Sequence, residues 1–198
     1  MVSEQQQKLN EEIYLSLGRF VVSFSNMLHS LEESTIHLFG HGPDGTKTVL
    51  IKAALADRTA SPISSAFFSV LFQRWGNLIT DDDTKVLKCL KKEIQGLIEK
   101  RNRIMHDPWM RKTIGGESGP HPMSLVRLRS HAKGVSHTSI DYGPQEVRSV
   151  ADDAGRLAGV ISAIVWYSKA DQSGPEISRR FEVREDKVYI KHAATPEL

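Results

Sequence analysis

With 198 residues, 39% of them hydrophobic and 25% charged, the chain can bury one sizeable core and has ordinary globular composition. A net charge of +2 decides little: a chain that coats nucleic acid nonspecifically is usually more basic, so any basic footprint must be local. The single cysteine, Cys89, excludes a disulfide within the chain and argues against a cysteine-based zinc site.

Residues 1–7 carry no basic stretch followed by an apolar run, and no segment reaches about 18 uninterrupted apolar residues. The expectation is a cytoplasmic chain with no membrane span. From Glu4 to Phe39 the apolar positions Leu9, Ile13, Leu17, Phe20, Phe24, Met27, Leu31 and Leu38 recur at steps of three and four, predicting one long amphipathic helix. The glycines and proline of residues 40–45 end it. A shorter helix is predicted over Thr46 to Leu55. Another follows over Ser61 to Leu78, where Phe67, Phe68, Val70, Leu71, Phe72 and Trp75 imply the middle of a core.

Asp81-Asp82-Asp83-Thr84 supplies a cap and favourable negative charge for a helix over Thr84 to His106, stopped by Asp107-Pro108. Residues 108–122 are rich in glycine and proline and read as a loop. Ser124 to His131 and Val135 to Tyr142 read as two strands joined at Lys133-Gly134. Gly143-Pro144 starts a last helix with the stripe Val147, Val150, Ala154, Leu157, Ile161, Ile164 and Val165. Beyond Pro175, Phe181 to Val183 and Val188 to Ile190 fit either a hairpin around Glu185-Asp186 or a frayed helix. The expected fold is mainly all-α. It is an antiparallel four- or five-helix bundle forming one domain over residues 1–198, with a loop and small β-hairpin insertion at 108–143 and a C-terminal tail at 172–198.

The chemically pointed segment closes the fourth helix. On a helical wheel Leu87, Leu90, Ile94, Leu97, Ile98, Ile104 and Met105 share one sector, and Arg101 falls in the middle of it. A guanidinium there needs a partner, a cavity or an interface, because an unpaired buried charge is costly. Asn102 and His106 are four residues apart and share a face, so the amide can orient the imidazole. Histidine is the side chain best suited to proton transfer near neutral pH. Arg101 and His106 are roughly 140° apart on an ideal helix. Either the last turn distorts, or the two residues work with copies from a second subunit.

Arg101, Asn102 and His106, with four residues between the first and last, resemble the Arg-x(4–6)-His motif of the HEPN superfamily. In that family the motif lies late in a long bundle helix. The resemblance implies a metal-independent endoribonuclease in which two protomers form one composite cleft, with the RNA 2′-hydroxyl as nucleophile. It implies that His106 handles the proton and Arg101 steadies the phosphate, a role that bidentate pairing suits. The implied partners are RNA and a second copy of the chain, with an antitoxin or a nucleotidyltransferase in a toxin or phage-defence setting. No cofactor and no metal is implied.

Arg103, Trp109, Arg111, Arg127 and Arg129 are the candidate substrate contacts. Arg127, Arg129 and His131 alternate along one predicted strand beside Lys133 and give a basic edge for phosphates or for solvent. Trp109 suits stacking on a base or closing the end of the bundle. Asn26, His29, Ser30 and Glu33 form a polar group read as an exposed helix face. No histidine has a glutamate three residues before it, which removes a di-metal bundle site. Two other readings stand beside cleavage. One is a nonenzymatic HEPN module that binds a partner protein or nucleotide. The other is a structural bundle in which Arg101 pairs with Glu99 or a first-helix glutamate and His106 caps the helix.

Overall fold

The computed structural model describes residues 4–40, 46–56, 58–107, 109–111, 123–131, 134–140, 142–170 and 176–191. It is mainly helical: α1 (Glu4–Phe39), α2 (Thr46–Leu55), α3 (Ala60–Trp75), α4 (Asp81–His106), α5 (Pro144–Ala170) and the short α6 (Ile177–Arg180). The strands are β1 (Trp109–Arg111), β2 (Met123–His131), β3 (Gly134–Ile140), β4 (Phe181–Arg184) and β5 (Lys187–Ile190). No helix among the described residues is long and apolar enough to cross a membrane.

By its contacts the chain forms two compact units, one from residues 1–24 and 99–154 and one from residues 25–98 and 155–198. The three long helices α1, α4 and α5 each give a part to both. In the first unit Ile13, Phe20, Phe24, Ile104, Val147, Val150, Ala151 and Ala154 are buried. Arg148 Nε donates to Ser16 Oγ at 3.1 Å, and Arg19 pairs with Asp152 at 2.7 Å. These contacts advance together in sequence, so α1 and α5 run in the same direction there.

The first unit also holds a three-stranded antiparallel sheet in the order β1-β2-β3. The predicted hairpin is present, with Leu125 opposite Ile140 and His131 opposite Gly134. Residues 109–111 were expected in a loop and instead form an edge strand, with Trp109 opposite Leu125. Three residues carry too little periodicity to announce a strand, and it is the neighbouring β2 that recruits them. The predicted turn at Lys133, the loop over 112–122 and Pro108 lie outside the described residues.

In the second unit Met27, Leu31, Phe67, Leu71, Leu87, Leu90, Ile94, Leu157 and Ile161 form a core with Phe181 and Val188. Within α3, Phe72 is exposed although Val70 and Leu71 before it are buried. Gly40 adopts φ +80° after α1 and its N–H reaches the His37 carbonyl, a left-handed cap that suits glycine. The cap of α4 is Thr80, one residue before the predicted stretch Asp81–Thr84. Thr80 Oγ1 accepts the Asp83 N–H, and Asp83 Oδ2 accepts the Thr80 N–H, a reciprocal capping box that starts the helix at Asp81.

Asp83 does more than cap. Its side chain is 1% exposed, and its Oδ1 accepts the Ser178 N–H at 2.6 Å, holding the start of α6. Burial pushes its carboxyl upward, but the backbone N–H groups of Ser178 and Thr80 and the two hydroxyls outweigh it and leave the pKa below the ordinary value. A lowered folded-state pKa contributes stability above the unfolded value, and that contribution is lost as pH falls through the folded value. Urea midpoints of wild type and Asp83→Asn are therefore expected to differ at pH 7 and to converge below about pH 4. A constant gap from pH 7 to pH 3 would contradict the assignment.

The tail beyond Pro175 forms a hairpin, not a frayed helix. Phe181 lies opposite Ile190, and Arg184 opposite Lys187. Glu185 and Asp186 both have positive φ, 50° and 59°, as a two-residue turn of the type I′ class requires. Neither is glycine, so the turn leans on other contacts. The Asp186 carbonyl accepts from the Cys89 thiol at 3.3 Å, and its carboxylate faces Lys92 at 3.4 Å. Glu93 fixes the other strand, accepting the Val188 N–H at 2.6 Å and pairing with Arg156, which in turn donates to the Val188 carbonyl at 2.6 Å.

Candidate functional site

The last turns of α4 carry Arg101, Asn102 and His106 into one cluster. Arg101 Nη1 lies 3.2 Å from Asn102 Oδ1 and 3.1 Å from His106 Nε2. The helix does not distort to achieve this. The Asp107 N–H still reaches the Arg103 carbonyl at 2.9 Å, the regular four-residue step. The length of the arginine side chain spans the angle between positions 101 and 106, so the two side chains meet within one chain without distortion of the last turn.

The local burial explains why a charge is tolerated in an apolar stripe. Leu87, Leu90, Ile94, Leu97, Ile98 and Ile104 are buried, but Arg101 is only half-buried and Met105 is exposed. The stripe opens at its last turn, and the guanidinium emerges there. Among the described residues Arg101 makes no ion pair, so the pairing with Glu99 or an α1 glutamate is not realised. Asn102 holds Arg101 through its side-chain oxygen, where orientation of the imidazole had been expected.

The contacts also fix chemical states. A guanidinium only donates, so the Arg101–His106 contact forms when Nε2 carries a lone pair and Nδ1 carries the proton. Both contacts of Arg101 use Nη1. Its other donors, Nη2 and Nε, are without partners among the described residues and suit a phosphate.

Beside this cluster is a cleft of about 510 Å³ lined by Glu99, Asn102, Arg103, His106 and Asp107. Arg103, a predicted substrate contact, therefore does reach the same cleft as the motif. Glu99 and Asp107 were not anticipated there. Their only signal was helical spacing, since Glu99, Asn102, Arg103 and His106 follow steps of three and four. Asp107 Oδ2 is buried with no hydrogen-bond partner among the described residues.

Trp109 sits half-buried at the end of α4, its indole N–H donating to the Ile104 carbonyl at 3.0 Å. That contact satisfies one of the carbonyls that every helix end leaves open. It makes the tryptophan a lid on the helix, with the indole edge committed. Arg111 ends β1 opposite Met123, and Arg127 and Arg129 occupy β2 opposite Thr138 and Ser136. The side chains of these three arginines lie outside the described residues.

Cys89 is half-buried and donates to a backbone carbonyl. Burial, with the charges of Glu93 and Asp186, pushes its thiol up, the opposite of an activated nucleophile. In the polar group of α1, Asn26 and His29 are exposed, and Glu33 pairs with Lys52 at 3.3 Å. No family model matches the chain, and no curated protein or solved structure matches it.

Proposed function

We propose that the chain is a metal-independent endoribonuclease of HEPN type, working as a homodimer whose two Arg101–Asn102–His106 clusters form one composite site. The observation that carries this reading is the 3.1 Å approach of Arg101 Nη1 to His106 Nε2 at the open end of an apolar stripe. It unites a cation for phosphate with a proton acceptor, the pair that transesterification of RNA requires.

The reaction then runs as follows. An RNA phosphate draws the guanidinium onto its oxygens and frees the Nε2 lone pair. Nε2 takes the proton of the 2′-hydroxyl as the 2′-oxygen bonds to phosphorus. The bond from phosphorus to the 5′-oxygen breaks, and the leaving oxygen takes a proton from the imidazolium of the second copy. The products are a 2′,3′-cyclic phosphate and a free 5′-hydroxyl. Asn102 is a positioning residue that keeps Arg101 beside the imidazole. The same reading places the protein in the cytoplasm, in a toxin or phage-defence setting.

The test is incubation of single-stranded and structured RNAs with wild type and His106→Ala in EDTA, followed by end-group analysis. Cleavage by wild type alone, leaving cyclic phosphate ends, is the expected result. Uncut RNA across both substrate types would defeat the reading and leave a nonenzymatic binding module in its place.

A further inference from the structure

We infer that the cleft beside the cluster is a guanine-reading subsite, taking the base of the nucleotide whose 3′-phosphate is attacked; this deepens the ribonuclease reading and rests on it. Three observations meet there. The cleft holds about 510 Å³, within the usual range for small-ligand sites. Glu99 and Arg103 are four residues apart on α4, the spacing at which such pairs form on a helix surface. Yet neither makes an ion pair or side-chain hydrogen bond among the described residues, and both face the cleft. Asp107 also lines the cleft, and its Oδ2 is buried with no hydrogen-bond partner among the described residues.

The chemistry of these groups selects the ligand. Arg103 supplies donors for a phosphate, and the carboxylates supply only acceptors. RNA bases are read in single strands on their Watson–Crick edges. On that edge guanine offers two neighbouring donors, N1–H and the 2-amino group, which one carboxylate accepts side by side. Adenine, cytosine and uracil each place an acceptor beside the donor, and a carboxylate repels it. Glu99 lies two turns before His106, about 10 Å along the helix axis. That separation places the carboxylate one nucleotide's reach from a phosphate held at the cluster.

Calorimetric titration of the four nucleoside 3′-monophosphates into the full chain tests this without requiring cleavage. Guanosine 3′-monophosphate is expected to bind about tenfold or more tightly than the other three. Glu99→Gln should remove most of that gap, whereas Arg103→Ala should weaken all four alike. Glu99 is exposed, and circular dichroism checks that both variants fold. Equal affinities, no binding of any nucleotide, or a gap that survives Glu99→Gln would overturn the inference. The two readings fail separately. A guanosine preference in a chain that leaves RNA uncut sinks the nuclease and keeps the subsite, and cleavage without base preference does the reverse.

Discussion

His106→Ala is expected to slow RNA cleavage by about 10²–10⁴-fold, the usual worth of a positioned general base. The imidazole is exposed at the end of α4, and its one contact among the described residues is with Arg101, so the loss should come without unfolding. Arg101→Ala should cost a similar factor, because the attacked phosphate then loses the guanidinium beside Nε2. Arg101→Lys should fall between wild type and alanine: the charge remains, but the planar fork that matches two phosphate oxygens does not. If the two residues act as a unit, the double alanine variant should be little worse than either single one. Initial rates in EDTA, with circular dichroism as a folding control, decide the matter. Substantial cleavage by a folded double variant would end the case for this site.

The largest expected change in stability lies in the other unit. Arg156→Ala should lower the unfolding free energy by about 3–5 kcal/mol, because it strands a buried charge. The Glu93 and Arg156 side chains are only 10% and 18% exposed. Glu93 would keep the Val188 N–H and lose its cation, while the Val188 carbonyl would lose its donor. Arg156 also lies over the Tyr189 ring at 5.0 Å, so packing is lost with the charge. The comparison that isolates the charge is Arg156→Met with Glu93→Gln, which should cost far less than Arg156→Ala. Urea unfolding at pH 7 measures both. A loss under 1 kcal/mol for Arg156→Ala would mean that the hairpin is held mainly by Phe181 and Val188.

The helices were legible because their signals are local. The α1 stripe predicted Glu4–Phe39 to the residue, and the α5 stripe from Val147 to Val165 is buried throughout. Boundaries slipped where a side chain outside the apolar pattern decided them. Thr80 caps α4 four residues before the predicted start at Thr84, and the predicted extension of α3 to Leu78 is instead turns on the Trp75 carbonyl. The tail hairpin stayed ambiguous because a type I′ turn ordinarily carries glycine or asparagine. Asp186 is braced there by Cys89 and Lys92, 97 and 94 positions earlier.

The site was legible in its members and not in its wiring. Spacing brought Arg101, Asn102 and His106 forward, but a wheel of identical residues treats arginine as no longer than leucine. It therefore could not show the guanidinium reaching round the helix to Nε2. The cleft with Glu99 and Asp107 was hidden for a different reason. An acid on a charged helix face is the commonest kind of surface residue, and only its lack of a partner distinguishes it.

The Cys89 contact has a practical consequence. The chain has one sulfhydryl, and its hydrogen rests on the carbonyl of Asp186 at the tip of the terminal hairpin. When the hairpin lifts, that contact breaks and the half-buried thiol becomes more accessible. Segments that open locally do so with a free energy of their own, below that of global unfolding. A thiol reagent should therefore label the native protein faster when hairpin contacts are weakened, as by Arg156→Ala, and the natural sequence needs no added label to show it.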